Sequence, residues 1–573
     1  NLFVKKILFL VLFISVLDVY PQDNTAKVFS YPQNYFRSPL DIPLYLSGTF
    51  GELRSNHFHS GLDIKTAQKE GLNVYTAAEG YISRIKISVW GYGKAIYVTH
   101  HNGYTTVYAH LKKFNRRIED YVKKQQYKKE SFEIQLFPSA TSLPVSKNEI
   151  IAFSGSTGGF AGPHLHFEIR NTKTEKPINP MLFGFNISDS KKPRINSLIG
   201  YALNDNSHIN KLNNSSKITI LNTSNGDLIA KKIIAHGDIG FGINAYDQQD
   251  GSFNKNGLYS LEVFVNGIKT HVFKTNSFSF SESKYINLLI DYKRYSKLKQ
   301  RIQKCFTEPL NKLSMYSKST GNGVISIKDG MNYTVEIIAK DFKGNSQKIK
   351  IPIIGKKNVE IIKTSKKVTP YKINFKEFNK FSKEGVTIAF PKNTFYENLF
   401  LDFNIKDSLV TVHTPSLPLH KNYTLTFDVS KYTEQAKNQL YIASFNDKGT
   451  PQYNKTVKKE NTFYTNTKTL GTYGLVTDTD IPEITLKNFK TEQWVTHFKT
   501  LKVKIADKQS GINSYRAEID GKWALMEYNV KTGLLTYNLS DRKFDNAKHN
   551  LKIVITDNVG NINTLNSIFY RKK

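Results

Sequence analysis

Residues 162–170 read Gly-Pro-His-Leu-His-Phe-Glu-Ile-Arg, and their polar and apolar side chains alternate. In an extended strand, residues two apart point to the same face. His164 and His166 therefore share one surface, while Leu165, Phe167 and Ile169 turn toward a core. A glycine-rich stretch at residues 154–163 precedes the histidines and predicts a tight loop at the edge of a cleft.

Two further histidine motifs lie upstream, His59-Ser-Gly-Leu-Asp63 and Tyr108-Ala-His110-Leu. His59 and Asp63 would add one nitrogen and one carboxylate oxygen to the histidine pair. A His/Asp/His set with an open fourth position is typical of catalytic zinc rather than structural zinc. Each motif alone is more often structural than functional. Their joint occurrence in the first third of the chain favours a metal site.

Residues from roughly 45 to 175 resemble the LytM/lysostaphin-type zinc endopeptidases, which cut peptide bonds in bacterial peptidoglycan. The resemblance implies a small, mostly antiparallel β domain with an open groove. It also implies that His59, Asp63 and His166 bind zinc, while His110 and His164 stand beside the metal as catalytic residues. It rests on the motifs at residues 51–63, 103–111, 155–158 and 162–170.

The chemistry of such a site can be stated from its residue types. Zinc with an open position activates water near neutral pH and polarises a carbonyl group. His110 and His164 suit proton transfer and stabilisation of developing negative charge, because imidazole titrates near neutrality. Which histidine performs which task stays open. The chain lacks the HExxH helix of other zinc peptidases.

Four neighbouring residues have simpler interpretations. His57 is interpreted as a groove-wall residue. His100 and His101 precede Asn102-Gly103, a hairpin signal, and are expected to be solvated turn residues. Arg54 could contact a substrate carboxylate, but an ion pair with Glu52 is the simpler expectation.

The amino-terminal residues predict export. Lys5 and Lys6 precede an apolar run at residues 7–17, which has the length of a signal-peptide core and is shorter than the roughly 18 residues of a membrane span. We expect a signal peptide over residues 1–22 and a secreted or periplasmic protein. Contact with the membrane is expected only if that segment is uncleaved.

Composition narrows the class of protein further. The 573 residues suggest about three to five domains, and the single cysteine, Cys305, excludes an intramolecular disulfide. The net charge of +33 is spread along the chain without a recognisable nucleic-acid motif, so no nucleic-acid partner is expected. Anionic polymers of a cell envelope suit this charge better. The simpler alternative is a lysine-rich surface that aids solubility.

The predicted fold class is mainly β, with a small antiparallel catalytic domain and a zinc groove, followed by several β-sandwich domains. The catalytic domain is expected at residues 30–190. Alternating strands and Asn/Gly turns predict an immunoglobulin-like domain at 193–355, a β domain of uncertain type at 356–480, and a second immunoglobulin-like domain at 481–573. Asp341-Phe-Lys-Gly-Asn345 and Asp557-Asn-Val-Gly-Asn561 predict one closing turn used twice.

An insert at about residues 112–147 separates His110 from the next expected strand, and residues 117–129 predict a helix. It is expected beside the groove, where it would limit access or receive a regulator; the alternative is a surface helix without a role.

The predicted function is an exported zinc endopeptidase acting on peptidoglycan stem peptides or cross-bridges. The alternatives are a non-enzymatic LytM-like activator or wall-binding protein, and a zinc endopeptidase for a non-wall protein. The C-terminal domains would position the enzyme or bind other envelope proteins.

Overall fold

The computed structural model of the chain describes residues 31–159, 162–317, 320–357, 359–363 and 367–572. The predicted signal peptide lies outside these residues. The described chain is mainly β, as predicted, and its buried apolar side chains form four large clusters in chain order. Among the described helices, none is long and apolar enough to cross a membrane.

The first region contains a sheet whose strands all pair antiparallel, as expected for the catalytic domain. One α-helix, α1, spans Arg116–Lys129, and a 3-10 helix spans Pro180–Phe183. The strands are β1 Leu46–Gly48, β2 Leu62–Lys65, β3 Asn73–Tyr75, β4 Gly80–Ile87, β5 Lys94–Thr99, β6 Tyr104–Phe114, β7 Ile134–Leu136, β8 Pro144–Val145, β9 Ile150–Ser154, β10 His164–Asn171 and β11 Pro177–Ile178.

Strand β10 lies in the middle of this sheet, whose order is β1-β2-β10-β6-β5-β4-β7. Its register places His166 opposite Asp63 of β2 on one side and opposite Ala109 of β6 on the other. The alternate side chains Leu165, Phe167 and Ile169 are fully buried. Burial of each such side chain stabilises the folded state by about 1.5–3 kcal/mol. Because these apolar residues must face the core, the histidines between them must lie on the opposite face of the sheet.

Helix α1 confirms the helix predicted within the insert. The side chain of Asn115 caps its first turn by accepting from the Ile118 amide, and Glu130 ends it in a left-handed conformation. Ile118 and Val122, one turn apart, are buried in the core of the first region. The helix is therefore packed onto the first region along one face.

The second region contains twelve strands around the second apolar cluster. Its α-helices are Ile286–Leu289 and Tyr292–Leu298, and its 3-10 helices are Phe280–Tyr285 and Thr320–Gly323. The strands are Arg194–Ala202, His208–Ile209, Ser215–Ile218, Ile220–Asn222, Leu228–Ala230, Ile233–Tyr246, Ser260–Val265, Ile268–Lys274, Gln303–Lys304, Ile325–Ile327, Asn332–Lys340 and Ser346–Gly355.

The third region has two five-stranded sheets, a two-stranded sheet and the helix Glu434–Gln439. Its strands are Tyr371–Ile373, Asn379–Lys383, Val386–Phe390, Leu399–Leu401, Phe403–Lys406, Leu409–Val412, Tyr423–Asp428, Leu440–Phe445, Pro451–Tyr453, Val457–Lys459, Thr462–Thr467 and Gly471–Thr477.

The fourth region has a four-stranded and a five-stranded sheet that share one apolar cluster. Its strands are Glu483–Leu486, Gln493–Trp494, Thr500–Ala506, Ile512–Ile519, Lys522–Trp523, Met526–Asn529, Leu534–Asn538, Lys548–Asp557 and Ile562–Tyr570.

The turn predicted to occur twice has the same hydrogen bonds in both copies. Asp341 accepts from the Asn345 amide at 2.9 Å and from the Asn345 side chain at 2.6 Å. Asp557 accepts from the Asn561 amide at 2.9 Å and from its side chain at 2.8 Å. In the second and the fourth region, the turn after a long strand is therefore stabilised by the same Asp–Asn hydrogen bonds.

The fourth region folds back onto the first. Three ion pairs join them: Lys94 Nζ with Glu527 at 2.9 Å, Lys123 Nζ with Asp541 at 2.7 Å, and Arg516 Nη1 with Glu130 at 2.8 Å. Two of these pairs involve α1 or the residue that ends it. The outer side of the helix therefore contacts the last region of the chain.

Strand β1 is the edge of the first sheet, and a side chain of the second region covers it. The Gln249 side chain accepts from the Leu46 amide at 2.8 Å and donates to the Leu44 carbonyl at 2.7 Å. Because Gly48 of β1 pairs with Asp63 of β2, this contact lies one strand away from the predicted metal ligands.

Candidate active site

Three predicted metal ligands converge at the junction of β2 and β10. His59 Nε2 lies 3.0 Å from Asp63 Oδ1 and 3.1 Å from His166 Nδ1, and His166 Nδ1 lies 2.9 Å from Asp63 Oδ1. All three side chains are buried. Tetrahedral ligands of zinc, bound at about 2.0–2.1 Å, are themselves about 3.3 Å apart. The spacing and the two-nitrogen, one-oxygen donor set therefore fit zinc.

The other ring nitrogen of each predicted histidine ligand donates a hydrogen bond to an acceptor. His59 Nδ1 donates to the Thr49 carbonyl at 2.8 Å, and His166 Nε2 donates to Glu168 Oε1 at 2.8 Å. These bonds leave His59 Nε2 and His166 Nδ1 as the nitrogens that face Asp63 Oδ1 and one another, so these are the nitrogens available to a metal. Such contacts to the non-ligating nitrogen fix ring orientation and raise ligand basicity in metal sites.

Asp63 is ionised in this setting. Burial alone raises its pKa, but the charge of His59 and hydrogen bonds from His166 and His59 hold the pKa well below its usual value. The outer oxygen, Asp63 Oδ2, accepts from Arg54 Nη2 at 3.0 Å. Arg54 also contacts Glu52 at 3.3 Å. The expected ion pair with Glu52 therefore forms, and Arg54 makes a second ion pair with Asp63. Arg54 therefore contacts Asp63, one of the predicted metal ligands.

His110 and His164 lie beside this donor set. His164 Nε2 is 3.7 Å from Asp63 Oδ1, and the His110 and His164 rings are 4.7 Å apart. His110 Nδ1 donates to the Thr157 carbonyl at 2.8 Å, and His164 Nδ1 donates to the Gly162 carbonyl at 3.0 Å. In each ring, Nε2 is then the nitrogen able to accept a proton. Both residues thus lie next to the His59, Asp63 and His166 donor atoms without belonging to that group.

A β-bulge directs the His110 side chain. The β5–β6 register shifts between the Lys94–Leu111 pair and the Ile96–Tyr108 pair, so two residues of β6 oppose Ala95. His110 has φ of 59°, a left-handed conformation that is uncommon for a residue with a side chain. Bulges next to active sites re-aim side chains, and such strain persists only where surrounding structure enforces it.

Glu168 is a functional candidate that the sequence interpretation missed. It is fully buried, accepts from His166 and from Ser60 Oγ at 2.6 Å, and pairs with Arg170 Nε at 2.6 Å. The Tyr92 hydroxyl also donates to it. Since Glu168 follows His166 by two residues on one strand, the same alternation that predicted the histidine pair could have identified it.

Protonation differs among the histidines for physical reasons. Burial lowers the pKa of His166, but hydrogen bonds to Asp63 and Glu168 reverse the effect and raise it to about 9. Burial lowers the pKa of His110 to about 3, assisted by the charges of His166 and His164. The pKa of His164 is also lowered, mainly by burial. His110 and His164 are therefore neutral near pH 7 and can accept protons.

The other predicted histidines lie outside the donor set. His57 and His101 are exposed. The expectation for His100 was wrong: it is buried, with hydrogen bonds to the Glu79 carbonyl at 2.7 Å and Thr106 Oγ1 at 2.8 Å. It lies next to the hairpin turn, but its ring points into the sheet and satisfies two buried polar groups. The hairpin between β5 and β6 was predicted correctly.

Two family models match parts of this chain. Residues 57–127 match Peptidase family M23, and residues 370–478 match a Zu5-like domain. The second match falls in the β region whose type the sequence left uncertain.

The curated relatives Mpg and ShyA each match about a quarter of this chain. DD-carboxypeptidase/endopeptidase Mpg of Neisseria meningitidis serogroup B is 31% identical over 164 residues, which are 28% of this chain and 31% of Mpg. Peptidoglycan DD-endopeptidase ShyA of Vibrio cholerae is 28% identical over 158 residues, 26% of this chain and 30% of ShyA. The chain thus spans about a third of the length of these relatives.

Among solved structures, the catalytic domain of lysostaphin from Staphylococcus simulans is 25% identical and covers 24% of this chain and 87% of that chain. Its TM-score of 0.18 is too low to support a conclusion about the fold. The family match, the curated relatives and the histidine motifs agree. The first region of the chain is therefore similar to peptidase family M23 over residues 57–127.

Proposed function

We propose that the first region is a zinc endopeptidase that hydrolyses peptide cross-links of bacterial peptidoglycan. The observation that carries the proposal is the convergence of His59 Nε2, Asp63 Oδ1 and His166 Nδ1 within 3.1 Å of one another. Two neutral histidines, His110 and His164, lie next to them. This is the donor set and the proton-transfer equipment of a metal-assisted peptide hydrolase.

Zinc held by these three residues would polarise the scissile carbonyl and make water more acidic. The chain's own residues supply the remaining requirements. His110 and His164 present Nε2 as a proton acceptor because each Nδ1 is tied to a backbone carbonyl. One takes a proton from the attacking water, and protonation of the leaving amine completes the cleavage. Glu168 and Thr49 keep the ligand rings in place.

The names of the relatives support a particular bond. Mpg is named a DD-carboxypeptidase/endopeptidase and ShyA a peptidoglycan DD-endopeptidase. We infer that this chain cuts the peptide bond between two residues of D configuration in cross-linked stem peptides. Such a substrate lies outside the cytoplasm, in keeping with the predicted export of the protein.

Mass spectrometry of the products tests this function. The zinc-loaded protein is incubated with purified cross-linked muropeptides, and the His164→Ala variant serves as the control. Conversion of cross-linked dimers to monomers with a new free amine, in the wild type alone, supports the proposal. Dimers left intact by a zinc-loaded protein would contradict it and favour a non-enzymatic activator or wall-binding role. Cleavage of glycine-rich protein instead would favour a non-wall substrate.

A further inference from the structure

A second group of ionisable side chains lies in the second region, away from the zinc ligands. Asp189, Asp247 and Asp341 each place a carboxylate oxygen within 4.8 Å of the others. Asp189 precedes the strand Arg194–Ala202, while Asp247 and Asp341 directly follow Ile233–Tyr246 and Asn332–Lys340. Asp247 is 4% exposed and Asp341 is 2% exposed. Three like charges held together with so little water repel one another strongly unless something neutralises them.

An uncharged residue, Asn256, lies next to two of these aspartates. Asn256 lines a cavity of about 20 Å³ together with Asp189 and Asp247, which is room for about one water-sized sphere. Asn256 is 3% exposed, and its Oδ1 has no hydrogen-bond partner among the residues that the structure describes. Asp247 Oδ1 likewise has no donor there, and the side chain that the Asp247 carboxylate contacts is a second acid, Asp189. Buried acceptors left without a donor are costly, so these oxygens indicate a ligand that binds acceptors.

The chemistry of the donors selects the ligand. All the converging atoms are oxygens, which hard cations prefer, in contrast to the nitrogen-rich zinc set. Calcium accepts six to eight oxygen ligands in irregular geometry, whereas magnesium requires a near-octahedral shell and retains water. We propose that Asp189, Asp247, Asp341 and the side-chain oxygen of Asn256 form a Ca²⁺ site. Backbone carbonyls and water would complete the coordination.

The electrostatics of the cluster agree with this assignment. Burial raises the pKa of Asp247 to about 8, and the charges of Asp189 and Asp341 add to the shift. Burial also raises the pKa of Asp189 to about 6. Burial and mutual repulsion thus disfavour three bare carboxylates at this place. A bound dication would supply a positive charge close to all three carboxylates.

The fourth region repeats the arrangement. Asp478, Asp507 and Asp557 also bring carboxylate oxygens within 4.8 Å. Asp478 precedes the strand Glu483–Leu486, Asp507 follows Thr500–Ala506, and Asp557 ends Lys548–Asp557. Because Asp341 and Asp557 belong to the turn that the two regions share, the carboxylates occur at corresponding strand ends. Such recurrence argues against an accidental cluster in the second region.

The site would act on the catalytic domain through a short loop. Asp247 is two residues from Gln249, whose side chain holds Leu44 and Leu46 at the edge of the first sheet. The same cavity is lined by Leu46, Thr49 and Phe50 of the catalytic domain. Calcium bound at Asp247 would therefore order the loop that joins the second region to the M23 domain.

Calorimetric titration of the full-length, zinc-loaded protein with Ca²⁺ tests the site. Asp247→Asn is expected to bind one Ca²⁺ fewer than the wild type, whereas the exposed Asp447→Asn keeps the wild-type stoichiometry. Asn256→Ala retains the three carboxylates and is expected to bind about tenfold more weakly. In chelator at about pH 8, Asp247→Asn should melt no lower than the wild type, because one repelling charge is gone.

Three results would overturn the proposal. The first is a wild type that binds no Ca²⁺ up to about 10 mM, above the range of weak extracellular calcium modules. The second is unchanged stoichiometry and affinity in both Asp247→Asn and Asn256→Ala. The third is equal affinity for Mg²⁺, which would remove the assignment to calcium. The wild-type titration and Asn256→Ala decide the question even if Asp247→Asn does not fold.

Discussion

The five side chains of the candidate active site have two different kinds of surroundings. His59, Asp63 and His166 point their donor atoms at one centre, while His110 and His164 are tied at Nδ1 and stand outside it. We therefore expect His166→Ala to lose zinc and activity together. His110→Ala and His164→Ala should keep most of the zinc and lose about 10²–10⁴-fold in turnover. Metal analysis and muropeptide kinetics on the same preparations measure both properties.

The exposed turn residue His101 provides a matched control, and His101→Ala should retain zinc and turnover. Equal loss of zinc in His110→Ala, His164→Ala and His166→Ala would contradict the division into ligands and catalytic residues.

Glu168 carries a prediction of its own. Glu168→Gln keeps the volume of the side chain but removes the charge that holds His166 Nε2 and Arg170. Loss of a partner of a metal ligand weakens metal binding by about 10–100-fold. Zinc competition with a fluorescent chelator measures this change. Glu175→Gln, which alters an exposed partner of the same Arg170, is the control; an equal loss of affinity there would remove the specific role of Glu168.

Zinc affinity should rise with pH because zinc competes with a proton on His166. The pKa of His166 is raised to about 9 in the metal-free site, so the ring is protonated near neutral pH. Below about pH 9, apparent affinity is expected to rise up to tenfold per pH unit. The same raised pKa stabilises the metal-free fold below the unfolded value of about 6.5, and this contribution is lost as pH rises through about 9.

Chelator competition from about pH 6.5 to about pH 9 measures the effect, and calorimetry in buffers of different ionisation enthalpy counts the released protons. Affinity that does not change over this range would contradict the assignment of the proton to His166.

Strand β10 shows what periodicity can predict at the scale of an element. Its alternation correctly predicted a buried apolar face at Leu165, Phe167 and Ile169. The bulge at His110 was not predictable, because the shift depends on how β6 pairs with β5 and no local residue signals it. Similarly, the burial of His100 depends on acceptors at Glu79 and Thr106, which only the assembled sheet brings together.

Helix α1 was predicted from sequence, but its contact with the fourth region was not. Lys123 Nζ lies 2.7 Å from Asp541, whose side chain is 3% exposed. Breaking one partner of a buried ion pair costs several kcal/mol, so Lys123→Glu and Asp541→Lys should each increase hydrogen exchange in α1. The double variant, with the charges exchanged, should restore protection. Exchange unchanged in both single variants would show that the pair does not hold the helix.

At the scale of the whole molecule, charge is the property most easily read from sequence. The net charge of +33 predicts attraction to anionic envelope polymers. Binding of the inactive His166→Ala protein to purified walls should therefore weaken as the screening length falls from about 10 Å at 0.1 M salt to about 3 Å at 1 M. A sedimentation assay measures the bound fraction. Binding that is independent of salt would leave the lysine-rich surface with a solubility role only.

The arrangement of the regions was beyond prediction. The carboxylate cluster joins Asp189, Asp247 and Asp341, which are far apart in sequence and meet only at the ends of paired strands. The ion pairs of the fourth region with the first join residues about four hundred positions apart. Local patterns predicted strands and turns, whereas these contacts depend on how complete sheets pack.

The cover on strand β1 also affects how the protein behaves among its own copies. An uncovered edge strand offers unpaired amides and carbonyls that can recruit a strand from another molecule and start aggregation. The Gln249 side-chain amide takes the place of a neighbouring strand, because it hydrogen-bonds to the Leu46 amide and to the Leu44 carbonyl. The first sheet is thus terminated by a side chain of the neighbouring region, and another copy of the protein finds no template for intermolecular β-pairing at those two groups.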